Sequence, residues 1–338
     1  MAPRRYGPLS ASRARALAPL LARVERGLDT AARIGFDPVE LPRRYGAPAD
    51  QEVAGLFAAA LAYGRADLFK PQLERVLAEM GASPARFCEA FARAPRPGAF
   101  ADFRYRFNQP ADVAALAAAV GHVRVLHGSL GDRFAALFRE EQAAVVGTRP
   151  PHARQGGALR PALARFAREL REAPPARALL TRRGPRGLAH LLPDASLAGA
   201  CKRWNLYLRW MVRGPDAVDL GAWPGVPRSA LVVPLDTHVA RIARHLRLTR
   251  RTDMTWRTAE EITESLRRLD PEDPVRFDFV LCHLGMSGAC PLRSDPACCE
   301  VCQLSAACRG RVRRAAGSRR RPAPPPPAAA TRADSSGG

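Results

Sequence analysis

Apolar residues return at helical spacing through most of this 338-residue chain, and that periodicity leaves little room for a sheet. Val53, Leu56, Phe57, Ala60 and Leu61 define one helical face, and Phe69, Leu73, Val76, Leu77 and Met80 repeat it after Tyr63-Gly64-Arg65. Residues 50–80 therefore read as a helical hairpin. Further helices are expected over 111–126, 130–146, 158–172 and 200–213, with the Arg-, Pro- and Gly-rich stretch 147–187 partly loop. Another should follow Asp236, where Val239, Ile242, Ala243 and Leu246 resume the period. Thr258-Ala259-Glu260-Glu261 reads as a capping box opening the next, and 274–284 as one ending at Gly285 and Gly288. Only Leu231-Val232-Val233 looks extended. The pattern specifies an all-α protein long enough for about two domains.

The net charge of +21 suits a polyanion, of which nucleic acid is the commonest. A tail inflates that figure, since residues 309–321 carry seven arginines and no acid. From about residue 310 the Arg/Pro/Ala/Ser composition cannot build a core and is expected to be disordered. No apolar run approaches the roughly 20 residues needed to span a bilayer. Arg23, Glu25 and Arg26 interrupt any signal-peptide core, so the start reads as an amphipathic helix of a cytoplasmic protein.

Among 53 basic residues only Lys70 and Lys202 are lysine. Arginine serves for phosphate contacts but cannot become a neutral amine near pH 7, so a retained lysine points to amine chemistry. Alone, Lys202 reads as a surface lysine and Asp236 as a helix N-cap. Together they permit more. A neutral amine can attack the anomeric carbon of a deoxyribose, and a carboxylate can shuttle the proton and steady the developing charge. Arg203 beside it, a helix N-terminus and partial burial all favour the neutral amine.

Cys290, Cys299, Cys302 and Cys308 follow in a C-x8-C-x2-C-x5-C run, with Cys298 as a spare. Thiols this dense in a chain of cytoplasmic character read as metal ligands rather than disulfides. The asymmetric spacing fits a [4Fe–4S] cluster better than a Zn2+ ion, which usually takes two C-x2-C knuckles. Either Cys298 or Cys299 can supply the second ligand. Such a group can simply fold a loop.

Lys202, the Leu-Asp-Thr-His segment at Asp236, FDFVLCHLGMSGAC and C-x2-C-x5-C occur in an order that resembles the helix-hairpin-helix DNA glycosylases of the endonuclease III type. The likeness spans about residues 45–308 and is specific over 200–308. It implies an all-α fold of two helical domains with a cleft between them and a C-terminal metal-cluster loop. The expected segments are an N-terminal helix (1–45) packing with the C-terminal domain, a barrel-like helical domain (46–202), the rest of the second domain (203–289), the cluster loop (290–308) and the tail (309–338). The resemblance implies base-excision repair on double-stranded DNA by a monomer, bacterial and nucleoid-associated. Lys202 and Asp236 would be catalytic, and Tyr63, Arg65, Arg203, Arg209 and His238 would face DNA. His238 reads more simply as structural. The alternative is a nucleic-acid-binding protein that keeps the scaffold without catalysis. The sequence departs from the family in three places. Its hairpin has only Gly199-Ala200-Cys201-Lys202 as counterpart, and the first cysteine gap is x8 rather than x6. Lys202 lies 34 residues before Asp236, a longer gap that resembles archaeal 8-oxoguanine glycosylases.

Overall fold

A computed structural model of the chain describes residues 9–96, 98–145, 151–180, 184–293 and 295–310. The chain's expected disordered tail and the 147–150 and 181–183 parts of its expected loop lie outside them. The described residues form α-helices and short 3-10 helices joined by turns and by longer irregular segments such as 213–236, with two isolated β-bridges and no strand. The helices are α1 (Ala11–Arg26), α2 (Thr30–Ile34), α3 (Pro48–Leu61), α4 (Ala66–Met80), α5 (Pro84–Arg93), α6 (Pro110–His127), α7 (Leu130–Val145), α8 (Pro151–Glu172), α9 (Pro174–Leu179), α10 (Arg186–Leu191), α11 (Lys202–Val212), α12 (Thr237–His245), α13 (Trp256–Arg267), α14 (Asp278–Met286) and α15 (Pro296–Val301). The α3–α4 hairpin turns at Gly64, whose φ of +81° is a backbone conformation that glycine adopts without strain.

The spacing of α3 predicts one apolar face, yet every residue from Glu52 to Leu61 is buried. A helix that is apolar nearly all round belongs in the middle of a protein. Small residues let its neighbours come close: a Cβ at Gly55 would stand 2.8 Å from Met211 Cε of α11. The Ala-rich α6 is enclosed in the same way, and a Cβ at Gly121 would overlap the Cys88 carbonyl of α5. Helix α1 presents Ala14, Leu17, Leu21 and Val24 as a buried stripe and packs beside α14. Leu9 N donates to Ser265 Oγ at 3.2 Å, and Glu25 pairs with Arg276 at 2.9 Å.

Two local expectations need correction. Leu231-Val232-Val233 is a buried irregular segment rather than a strand, because the Val233 amide is satisfied by Thr263 Oγ1 at 3.0 Å. Helix α13 starts at Trp256, with Thr255 as N-cap accepting from Thr258 N. Thr258 is already the third residue of that helix, whereas Thr255 has the extended backbone of an N-cap, so Thr258 opens no capping box. No single helix among the described residues is long and apolar enough to cross a membrane. The bent pair α6–α7 passes on length and composition together, but α6 is buried among other helices.

The polar hub of this packing is Glu52, 2% exposed. Its carboxylate pairs with Arg124 of α6, accepts from Leu130 N (3.1 Å) and Gly131 N (3.2 Å) at the start of α7, and from Trp223 Nε1 (3.0 Å). Burial pushes its pKa upward despite Arg124. Glu52→Gln would leave Arg124 with Glu89 as its remaining carboxylate and turn acceptors into misplaced donors. It should destabilise the fold by about 2–4 kcal/mol, measured by urea unfolding.

Candidate functional site

Lys202 and Asp236 line one cleft of about 180 Å³. Lys202 opens α11, and the residue before it, Cys201, takes a left-handed backbone (φ +48°) that costs a non-glycine residue about 1 kcal/mol. The turn is held in place from outside. Ala200 N donates to Met254 O (3.2 Å), Trp256 N to Ala198 O (3.0 Å) and Asn205 Nδ2 to Ala200 O (3.1 Å). The Lys202 amine has no hydrogen bond or ion pair among the described residues. Asp236 is the N-cap of α12, with Oδ1 accepting from Val239 N at 2.8 Å. Its Oδ2 faces the Cys282 thiol at 3.5 Å. The capping role expected of a lone aspartate is thus real, and it coexists with exposure to the cleft.

Two more carboxylates, Asp37 and Asp278, line the same cleft. Asp278 is 2% exposed; Oδ2 accepts from Arg209 Nη1 at 2.8 Å, and Oδ1 is buried with no hydrogen-bond partner among the described residues. Burial outweighs Arg209 and raises Asp278 to about 6, with Asp236 adding repulsion. For Asp37 the balance is reversed. Burial favours the neutral acid, but His283, the Val39 amide and Arg209 together hold it below the usual carboxylate range. Sequence reasoning passed over Asp278 and Cys282, although with Met286 they fall at i, i+4 and i+8, one face of α14.

The residues expected to face DNA separate sharply. Arg209 is a correction: it is 2% exposed and clamped between Asp219 (3.2 Å) and Asp278, so it forms part of the cleft wall and cannot reach a phosphate. Arg203 is also tied down, with Nη1 donating to Ala60 O at 2.6 Å, Nη2 to His190 O, and its guanidinium over the Tyr63 ring. Burial brings Arg203 down to about 10. Tyr63 donates to Asn108 Oδ1 at 2.6 Å and braces the α3–α4 turn. Arg65, on that turn, has a side chain 75% exposed, paired with Asp67. His238 lies in the first turn of α12 against Gly285, where an added Cβ would stand 2.7 Å from the histidine's own Cβ.

Cys290, Cys298, Cys299, Cys302 and Cys308 line a separate pocket with His245. All five are free thiols. The loop is fastened to α12: Arg241 donates to Cys290 O, and Arg309 N to His245 O at 2.7 Å. Burial, reinforced by neighbouring cysteines, pushes the Cys290 and Cys308 thiols upward. As they stand, no three His, Cys, Asp or Glu side chains among the described residues are grouped tightly enough to hold a metal ion. The donor set, thiols converging on one pocket, nonetheless fits a metal–sulfur group in kind. Cys298 and Cys299 both face it, so the second ligand stays open between them.

The family described as "Protein of unknown function (DUF2400)" matches residues 37–287. The chain belongs to this family. The match takes in Asp37, Lys202, Asp236 and α14, and ends before Cys290. Neither the curated proteins nor the solved structures contain a match to the chain.

Burial and the neighbouring Arg203 push the His190 imidazole from 6.5 down to about 4. The unfolded chain takes up this proton below about 6.5 while the folded chain resists it, so the stability given by the neutral ring is lost as pH falls from there toward 4. The ring is half-buried, and solvent screening leaves roughly 1–2 kcal/mol. His190→Phe keeps the ring contacts with Tyr63 and Phe107. It should lose about that much less stability than the wild type between pH 7 and 4.5 in urea unfolding.

Proposed function

We propose that this protein is a base-excision DNA glycosylase with Schiff-base lyase activity, acting on a damaged base flipped out of double-stranded DNA. One observation carries the reading: Lys202 and Asp236, 34 residues apart in sequence, line a single cleft, and the lysine amine is not engaged. In the proposed reaction the neutral Lys202 amine attacks C1′ of the deoxyribose. The bond from C1′ to the base breaks, and the base departs with that electron pair and takes up a proton from water. Asp236 accepts the proton shed by the attacking nitrogen and balances the positive charge on the sugar. Opening of the sugar ring, with the proton passing from Asp236 to O4′, leaves a protonated imine on Lys202, from which loss of a C2′ proton expels the 3′ phosphate.

Binding would rest on the chain's positive charge, with Arg65 on the exposed α3–α4 turn as one contact, and would weaken with salt. The protein is proposed to act as a monomer in the bacterial cytoplasm, associated with the nucleoid. Cys290, Cys302, Cys308 and either Cys298 or Cys299 would hold a [4Fe–4S] cluster, with Zn2+ as the alternative, and its part would be to fold the loop after α14. The second reading, a nucleic-acid-binding protein without excision, draws on one observation. Both Asp236 oxygens already have donors in the structure, as a purely structural cap would.

Borohydride should trap the wild-type chain covalently on duplex DNA bearing the right lesion. Lys202→Gln should abolish the adduct, and Asp236→Asn should slow it by about 10²–10⁴-fold. Adducts of equal yield from Lys202→Gln and the wild type would remove the lysine from the mechanism. Absence of any adduct over a broad lesion panel, with salt-dependent binding intact, would favour the second reading. Protein purified without oxygen should contain about four irons and four sulfides per chain. One bound zinc without sulfide would select the alternative, and iron removal should lower the melting temperature.

A further inference from the structure

Helix α14 sets Asp278, Cys282 and Met286 along the cleft wall, one turn apart. The Cys282 sulfur lies 3.5 Å from Asp236 Oδ2 and 3.6 Å from Met286 Sδ. Since Val239 N already holds Oδ1, the thiol supplies the second donor to the Asp236 carboxylate. We propose that Cys282 is a positioning residue: its S–H holds Asp236 Oδ2 on the α14 side of the cleft, fixing how the carboxylate is presented to Lys202. This role rests on reading Lys202 and Asp236 as the reacting pair.

The charges around the sulfur decide whether it can donate. Lys202 and Arg209 face it from α11, Asp236 and His238 from α12, Asp278 from its own helix, and Asp37 from the turn after α2, with His283 beside Asp37. Arg209 is committed to Asp219 and Asp278. Burial, then Asp236 and Asp278, push the thiol well above its ordinary range, and Lys202 opposes them without prevailing. Cys282 therefore keeps its proton and acts as a donor, leaving the Lys202 amine without a thiolate partner. An S–H bond is weak and long. It can orient an oxygen without tying the carboxylate into a strong bond.

Two variants and one chemical probe test this. Cys282→Ala should fold but trap on DNA about 3–10-fold more slowly, the effect expected from losing a weak bond to a charged acceptor. The acidic limb of its pH–rate profile should move to higher pH, because the ionised carboxylate has lost a donor. Cys282→Ser should recover most of the rate and return the limb. Identical profiles for Cys282→Ala and the wild type would overturn the role, as would a serine variant no better than alanine.

The contact itself can be read without DNA, from alkylation of Cys282 by iodoacetamide in the full chain, resolved by mass spectrometry. Asp236→Asn should speed this alkylation about threefold or more while Cys88 stays unreactive, since removing the carboxylate favours the thiolate. Equal rates in the two proteins would rule out the coupling. If the wild type forms no adduct on any lesion, the pairing of Lys202 with Asp236 fails, and this role with it. The alkylation rates would still report whether sulfur and carboxylate are joined.

Discussion

One buried carboxylate organises the centre of the protein. Glu52 gathers donors from α6, the start of α7 and Trp223, while its own backbone carbonyl accepts the Tyr207 hydroxyl at 2.9 Å. Tyr207 lies on α11, against the gap left by Gly55 of α3. Residue 52 therefore also anchors the middle of α11, the helix that Lys202 opens. A charge buried this deeply is tolerated only when fully partnered. Its partners come from parts of the chain that are far apart in sequence, so the requirement ties them to a single arrangement.

A second buried pair carries the order onward to the cleft. Arg209 leaves the same helix and binds Asp219 and Asp278, so α11 is tied to the start of α14. Helix α14 in turn packs against α12, whose N-cap is Asp236. Lys202 and Asp236 thus come to line one cleft through α11, Arg209 and α14. No direct bond between them is required. This arrangement leaves the lysine amine unengaged, which a nucleophile needs and a structural lysine in an ion pair lacks.

The fold class was legible because helical periodicity is local, and the all-α character follows from it. The hairpin break at Gly64 was legible for the same reason. Element boundaries were less so. Thr255 and Thr258 can both open α13 by residue type, and only the backbone, extended at Thr255 and already helical at Thr258, decides between them. The convergence of Lys202 and Asp236 on one cleft was read from motif order. The fates of Arg203 and Arg209 were not, because spacing shows which helix a residue belongs to and not what lies across from it. Their partners, Ala60, His190, Asp219 and Asp278, are tertiary. Cys282 was passed over, since nothing adjacent in sequence shows that Asp236 is its neighbour.

The distribution of charge sharpens the proposed reading. The chain is strongly positive overall, yet the cleft brings Asp37, Asp236 and Asp278 around Lys202 and an already neutralised Arg209. A phosphate drawn to the exterior would be repelled at the cleft mouth, whereas an uncharged base or the sugar beside it would not. Opposite potentials at surface and cleft would therefore keep the polyanionic backbone outside while a single nucleoside enters. Asp278, raised to about 6, sets a limit on this sorting. As pH falls through that value the cleft loses negative charge, and the contrast between exterior and interior weakens.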